Sequence, residues 1–219
     1  IPKNARKVHY TANITVIKVQ AARECTHITS VVHPDSVIAI EACAYYGCSA
    51  IRNLRFSSTL QTIGDGSFDG CSSITTLEMP PTLHTIDKWG FESCSSLRMI
   101  TPQDPHKPLR LKAIKDNAFF DCESLASIPY FPFLEIIGSG AFGNCTSLTE
   151  VTLGSHIISA ARDCFDECDS LIALRCTYRT YVILPWKVTH VTIDPETTRI
   201  HTSAFAGCDQ LHSIVLAST

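Results

Sequence analysis

The chain has 219 residues, of which 45% are hydrophobic and 18% are charged, and it carries a formal net charge of −3. This composition excludes an intrinsically disordered chain, which needs low hydrophobicity and high charge. It also argues against nucleic-acid binding, because no excess of basic residues is present to neutralise phosphates. No apolar run approaches the roughly 18–20 residues of a membrane span, so direct membrane insertion is not expected.

The cysteines supply the strongest pattern, because eight of the eleven recur in one column. Consecutive members are 23 residues apart, except for one interval of 28 and a final one of 40. The eight positions are Cys25, Cys48, Cys71, Cys94, Cys122, Cys145, Cys168 and Cys208. A fixed period of about 20–50 residues is typical of repeat proteins, so we expect an array of structural repeats.

Repeats are counted here from the residue eight positions before each of these cysteines. On this count the chain is a single solenoid domain over 1–219 with about nine repeats, one of them shortened to 17 residues. The starts are Ile17, Ile40, Ile63, Ile86, Ile114, Ile137, Ala160, Thr177 and Ile200. The shortened unit spans 160–176, and Pro185 takes the cysteine position of the repeat that follows it.

Each repeat contains the same elements in the same order. After the start at Ile63 come the small residue Ser67, the aromatic Phe68 and Cys71. This stretch is too short for a stable helix and predicts a tight helical turn that buries the aromatic ring. The segment 77–79 then alternates between apolar and polar residues, which predicts a short strand with one buried face. Stacked repeats would share one core and form a parallel sheet with one strand per coil.

The repeated pattern also resembles a known family. Residues 63–79 (IGDGSFDGCSSITTLEM) and 137–153 (IGSGAFGNCTSLTEVTL) resemble the BspA-type leucine-rich repeat. The resemblance covers about residues 8–217 and implies a leucine-rich-repeat solenoid, a right-handed superhelix with a parallel β-sheet on its concave face and short helical turns elsewhere. The family includes many surface proteins of bacteria and protists that contact other cells or host proteins. The resemblance therefore implies binding and not catalysis.

Two roles are open for the cysteines. They form a disulfide framework or metal site, or they supply one buried thiol per coil that fills the core as a small apolar group. The spacing favours this thiol ladder, because no cysteine pair with zinc-ligand spacing is matched by a second one. Cys43, Cys164 and Cys176 lie outside the ladder and are the candidates for a regulatory thiol or disulfide.

The nine histidines form no metal-binding or catalytic motif, and each is interpreted as a surface residue. The sequence also lacks a nucleophile elbow, a phosphate-binding loop and a dinucleotide fingerprint. No cofactor, no metal and no enzymatic activity are therefore expected.

The predicted sheet presents small and polar side chains, which suit a flat protein or glycan surface better than a small molecule. The candidate binding residues on this face are Arg55, Glu78, Thr101, Thr152, Arg175 and Thr192. The alternative is a solvated sheet face without a partner.

An insertion of five residues within 102–110 interrupts the repeat and supplies further candidates, Asp104, His106 and Lys107. Insertions in solenoids map to loops on one face, which is often the binding face. The alternative is a surface loop that the fold tolerates.

The shortened repeat and its neighbour carry the last two candidates, Tyr178 and Arg179. Aromatic side chains together with arginine are typical of binding hot spots. The alternative is that the aromatics here, Tyr181 and Trp186, fill the core where the usual aromatic and cysteine are missing.

The leading hypothesis is a surface-displayed module for adhesion or contact with a host or another cell, with a protein or glycan as its partner. The glycosylation sequon at Asn13-Ile-Thr15 supports it. The alternative is an intracellular scaffold within a larger assembly, because free thiols persist in a reducing compartment. Neither end carries the polar cap that terminal repeats normally need. We therefore expect the chain to be a segment of a longer protein, or its ends to make end-to-end or assembly contacts.

Overall fold

The computed structural model describes residues 1–10, 13–179 and 182–217. Within these ranges the regular elements are sixteen short strands, and every pairing between them is parallel. The described residues contain no helix long and apolar enough to cross a membrane. The chain is therefore a parallel β-solenoid of stacked coils.

The strands follow one another in chain order with similar spacing. They are β1 Lys7–His9, β2 Val16–Ile17, β3 Ser30–Val32, β4 Ala39–Ile40, β5 Asn53–Arg55, β6 Thr62–Ile63, β7 Thr76–Met79, β8 Thr85–Ile86, β9 Met99–Pro102, β10 Ala113–Ile114, β11 Ile136–Ile137, β12 Glu150–Thr152, β13 Ser159–Ala160, β14 Ala173–Tyr178, β15 His190–Ile193 and β16 Ser213–Leu216.

Two sheets form two walls of the solenoid. The first sheet is the concave wall and comprises β1, β3, β5, β7, β9, β12, β14, β15 and β16. The second sheet has seven two-residue strands in the order β13-β11-β10-β8-β6-β4-β2. Each second-sheet strand ends on a repeat start, from Ile17 to Ala160. Thr177 differs, because it lies in β14 of the first sheet, and Ile200 is exposed outside any strand.

Consecutive turns connect the second sheet to the first and also bond the coils together. Within one coil, the amide of Ser67 donates to the carbonyl of Gly64 at 3.2 Å. Between coils, the amides of Gly66 and Phe68 donate to the carbonyls of Lys88 and Gly90 at 2.8 and 2.9 Å. The prediction of helical turns is therefore wrong in detail. Alternate amides bond to the next coil and are not available for a helix.

This alternation needs a left-handed backbone at the third and seventh positions after the repeat start. Gly66 and Gly70 adopt it with φ of 55° and 70°. Trp89 and Ser93 adopt the same conformation in the next coil with φ of 56° and 53°. Glycine is favoured at such positions because it has no Cβ to clash with the backbone.

The core between the walls contains a column of stacked aromatic rings. Neighbouring rings lie 5.0–5.3 Å apart between centroids, with interplanar angles of 5–11°. The column comprises Tyr45, Phe68, Phe91, Phe119, Phe142 and Phe165, all fully buried. One aromatic per coil at a fixed position therefore produces a continuous stack along the solenoid.

The eight cysteines of the column form a buried ladder beside the aromatic stack. Their thiols also connect coils, since Cys71 Sγ donates to the carbonyl of Tyr45 and Cys94 Sγ to that of Phe68, both at 3.3 Å. Burial raises the pKa of Cys48 to about 11, so its thiol stays protonated and available as a donor. Outside the ladder, Cys164 and Cys176 are buried and Cys43 is half-buried.

Candidate functional site

The first sheet places most of the predicted binding residues on one outward face. In β7, Leu77 and Met79 point into the core while Glu78 is exposed. The same alternation exposes Arg55, Thr152, Arg175 and Thr192, and leaves Thr101 half-buried. Register pairs Glu78 with Thr101 and Thr152 with Arg175 across neighbouring strands. These six side chains form what we call the sheet face, a mixed polar surface along the solenoid.

The first sheet is interrupted once within a run of otherwise regular coils. It consists of the groups β1-β3-β5, β7-β9 and β12-β14-β15-β16, and Ser127 bridges the second group to the third. No ladder pairing joins β5 to β7 in the described residues, and their Cα atoms stand almost everywhere more than 8 Å apart. A cleft of about 330 Å³, which we call the gap, lies between these two strands.

The gap is lined by two of the predicted residues. Arg55 and Glu78 stand on its opposite sides, together with Arg52 and Thr76. At its base lies Leu54, which is only partly buried, whereas Leu77 at the equivalent position of the next coil is 1% exposed. The interruption therefore uncovers an apolar side chain that belongs to the core elsewhere. Nothing in the sequence pattern indicated it, because Leu54 fits its column.

An aromatic side chain lies next to the gap. Phe56, directly after β5, is buried and reaches across the next two coils to Phe68 and Phe91, at ring distances of 5.7 and 6.4 Å. Its carbonyl accepts a hydrogen bond from Gln103 Nε2 at 3.2 Å. The equivalent position of the next coil holds the slimmer Met79. The separation of β5 from β7 thus coincides with a bulkier side chain after β5 than after β7.

A buried polar network lies beside Phe56. The ring of His33 stacks on Phe56 at 5.9 Å, and His33 Nε2 lies 2.9 Å from the hydroxyl of Tyr45, which in turn bonds to that of Tyr10. Its Nδ1 lies 3.1 Å from the carbonyl of Arg55, a geometry that places the proton on Nδ1. Desolvation lowers the pKa of His33 to about 4. The interpretation of every histidine as a surface residue is therefore wrong for His33, which is 3% exposed.

The insertion folds back against the preceding coils. Gln103 N donates to the carbonyl of Met79 at 2.8 Å, and Arg110 N to that of Pro81 at 3.2 Å. A cavity of about 620 Å³ lies between the insertion and these coils. Its lining includes Ser58, His84, Asp104, Lys107 and Arg110.

The structure brings two of the three predicted insertion residues together in this cavity. Asp104 accepts from the amide of His106 at 3.0 Å and lies 3.2 Å from Lys107 Nζ. These two contacts, the amide first, hold the pKa of Asp104 below its usual value. The side chain of His106 is exposed and does not line the cavity, so this residue contributes mainly through its backbone.

The shortened repeat differs from the prediction. Tyr178 is fully buried against Phe205 at 5.6 Å, so its assignment as a surface binding residue is wrong. Trp186 is 42% exposed and does not fill the core, and Tyr181 lies outside the described residues. Arg179 is half-buried and paired with Asp194 at 3.1 Å, which leaves its guanidinium committed within the chain.

The described part of the chain contains no group of three His, Cys, Asp or Glu side chains that could hold a metal ion. All eleven cysteines are free thiols.

Comparison with known proteins assigns the fold to a family. The model of the BspA type leucine-rich repeat region matches residues 3–111, 106–208 and 185–219, with six copies of the repeat. The chain belongs to this family. Its repeat class is a protein-interaction architecture and is typically non-enzymatic. No curated protein matches the chain.

Solved structures with the same architecture come from bacteria. A leucine-rich repeat protein of Bacteroides ovatus has a TM-score of 0.63 at 22% identity, over 96% of this chain and 62% of its own. The pneumococcal vaccine antigen PcpA has a TM-score of 0.62 at 15% identity, over 88% of this chain and 56% of its own. At these identities the likeness shows the fold alone, and the chain spans less than two thirds of either protein.

Proposed function

We propose that this chain is a non-enzymatic binding module displayed on a cell surface, where it contacts a protein on a host or another cell. The observation that carries the proposal is the sheet face, a row of exposed polar side chains held in register by parallel strands. Extended concave surfaces of this kind are what solenoids use to bind partners. The resemblance to surface proteins of bacteria and protists supports display on a cell.

The character of the face suits a macromolecule. Arg55 and Arg175 contribute positive charge, and Glu78 and Glu150 contribute negative charge. Glu150 lies 3.2 Å from Arg175, in an exposed ion pair that a partner can reorganise at little cost. Mixed charge over a broad surface gives specificity by electrostatic complementarity, whereas a small molecule needs a deep apolar pocket.

A second candidate function is an intracellular scaffold. It is favoured by one observation, that all eleven cysteines are free. Reduced thiols are characteristic of a reducing compartment. Ten of the eleven are buried, however, and burial raises the pKa of thiols such as Cys71 and Cys94. Because the thiolate is the reactive form, such thiols would also persist outside the cell.

Binding of the fluorescently labelled chain to intact epithelial cells tests the first function. The triple variant Glu78→Ala, Thr152→Ala, Arg175→Ala removes the centre of the sheet face, and Lys18→Ala with Lys112→Ala on the opposite side serves as the matched control. We expect saturable binding that falls by about tenfold or more in the face variant alone.

Three outcomes separate the alternatives. Loss of binding after protease treatment of the cells identifies a protein partner, and loss after glycosidase treatment identifies a glycan. Absence of saturable binding, together with a stoichiometric complex when the chain is purified from its own source, would establish the scaffold. Equal binding by the face variant and wild type would reject the sheet face as the binding surface.

A further inference from the structure

The gap between β5 and β7 is confined to one wall. In the same coils the second sheet stays paired from β4 through β6 to β8. The turns of the two coils stay bonded too, since the amide of Tyr45 donates to the carbonyl of Ser67 at 2.8 Å. The two coils are therefore hydrogen-bonded to each other along the second sheet and separated along the first.

Both edges of the gap carry backbone groups that neighbouring coils use for pairing. Arg98 N donates to the carbonyl of Thr75 at 2.9 Å, and His33 N to that of Arg55 at 3.0 Å. The equivalent bonds across the gap would join Thr75 N to the carbonyl of Arg52, and Phe56 N to that of Glu78. Within the described residues neither bond forms.

The direction of the peptide groups can be read from the register. Successive residues in a strand direct their peptide groups to opposite neighbours. Asn53 and Arg55 bond to the β3 side, so the peptide groups of Leu54 are directed into the gap. The carbonyls of Thr75 and Met79 accept from the β9 side, so the peptide groups of Thr76 and Glu78 are directed into the gap from the other side. The gap thus has two facing strand edges.

The separation of β5 from β7 leaves room for an additional strand. Neighbouring strands lie about 4.7–4.9 Å apart, so a strand inserted between two others needs about 9–10 Å between them. The Cα atoms of β5 and β7 are mostly more than 8 Å apart, well beyond the spacing of directly paired strands. The cleft of about 330 Å³ is open to solvent along the sheet face and has room for a few residues of extended backbone.

The side chains around the gap define the ligand further. An inserted strand would direct one side chain inward against Leu54 and the flanking side chains outward past Arg55 and Glu78. The lining contains two guanidinium groups, from Arg52 and Arg55, against the single carboxylate of Glu78. The electrostatics therefore favour an acidic peptide over a basic one.

We infer that the gap binds an extended, acidic peptide segment of a partner protein, which completes the first sheet as an added strand with a small apolar side chain over Leu54. Strand addition is an established mode of peptide recognition, in which backbone hydrogen bonds supply affinity and side-chain pockets supply specificity. The inference deepens the proposed function and rests on it, because the peptide would be part of the protein contacted by the sheet face.

Selection of linear peptides from a phage-displayed random library, about eight residues long, tests this inference. The affinity of the selected synthetic peptides is measured by fluorescence anisotropy, and hydrogen exchange locates the site. We expect acidic sequences, and peptide binding should slow the exchange of the Leu54, Thr76 and Glu78 amides. These amides should exchange rapidly in the free chain.

Variants on each side of the gap sharpen the test. Thr76→Pro removes an amide that faces the gap and should weaken peptide binding by about tenfold or more. Arg55→Ala should weaken it several-fold and reduce its dependence on salt. Arg199→Ala is the matched control, on an exposed arginine outside both the sheet face and the gap, and should leave the affinity unchanged. If Thr76→Pro does not fold, Arg55→Glu on an exposed side chain gives the same test.

The failure of the inference is separable from that of the proposed function. Absence of any selected peptide at about 1 mM, or binding without protection of the gap amides, overturns the inference. Cell binding that is lost in the face variant but intact in Thr76→Pro leaves the proposed function standing without the gap. Peptide binding with protection, in a chain that does not bind cells, supports the gap and rejects adhesion.

Discussion

The two walls of this solenoid are built by the same repeats but differ in continuity. The second sheet, whose strands have only two residues, runs unbroken from β2 to β13. The first sheet has longer strands and yet separates between β5 and β7. Strand length is therefore not what holds the coils together. The second wall is continued by turns that bond alternate residues to the next coil, and by the aromatic stack beneath them.

The difference shows how a repeat protein combines rigidity with a variable surface. The second wall and its turns fix the stacking of the coils, so the strands of the first wall can separate at one point without separating the coils. The first sheet, on the concave wall, is consequently where a single coil can differ in its strand pairing from its neighbours. The following changes test this division, from the largest expected effect to the smallest.

Removing one ring from the middle of the aromatic stack should have the largest effect. Phe119 is fully buried and lies 5.3 Å from both Phe91 and Phe142. Phe119→Ala leaves a cavity and interrupts the stack, so we expect a loss of about 3–5 kcal/mol in the free energy of unfolding. Urea denaturation followed by circular dichroism measures it.

Phe133→Ala is the matched control for the stack. Phe133 is 39% exposed and lies outside the column, so its removal should cost less than about 1 kcal/mol. Similar losses for Phe119→Ala and Phe133→Ala would show that the stack does not hold the coils together.

Acidification should destabilise the chain through His33. Its pKa is about 4 in the folded chain against 6.5 for an unperturbed histidine, because burial disfavours the charged ring. The unfolded state therefore binds the proton first as the pH falls. Stability due to neutral His33 is complete above pH 6.5 and is lost between pH 6.5 and about 4, by about 3 kcal/mol in total. Urea midpoints across this range provide the measurement.

Carboxylates also titrate at the acidic end of this range. The slope of the free energy of unfolding against pH must therefore be compared between variants. His33→Gln removes the titrating group and should flatten the stability profile between pH 6.5 and 5, although it lowers stability at neutral pH. Gln61→Ala, on an exposed side chain that does not titrate, should leave the slope unchanged. A slope unaffected by His33→Gln would contradict the buried neutral ring.

Two leucines at equivalent positions compare the closed and open parts of the first wall directly. Leu77→Ala removes a side chain that is 1% exposed and should cost about 3 kcal/mol. Leu54→Ala removes one that is partly exposed at the gap and should cost about 1 kcal/mol. Thermal or urea unfolding of both variants gives the difference. Equal losses would mean that the gap is closed in solution.

Most of the fold could be predicted from the sequence because the same residue types recur at the same positions in nearly every repeat. The column of cysteines and the aromatic before each one placed the core, and the alternation in segments such as 77–79 placed the first sheet. The gap was not predictable, because Leu54 and Leu77 on its two sides both fit the same column of the repeat. Tyr178 was misassigned because the shortened repeat and the one after it lack the conserved spacing of the other repeats. Their positions cannot be aligned with the columns that show which residues are buried.

The smallest expected effect concerns the turns, which belong to the closed wall. Ser93 has a left-handed backbone with φ of 53°, at the position where the preceding coil has Gly70. This conformation costs a residue with a Cβ about 1–2 kcal/mol, but glycine loses more backbone entropy on folding. Ser93→Gly should therefore stabilise the chain by only about 0.5 kcal/mol.

Ser96→Gly serves as the control, because Ser96 lies three residues further on and has no left-handed backbone. Here only the entropy term acts, so a loss of about 0.5–1 kcal/mol is expected. Thermal unfolding by calorimetry should give opposite signs for the two variants. Opposite signs would show that the turns keep their left-handed positions in solution. The same sign for both would mean that the coils are held by the core alone and that the turns follow it passively.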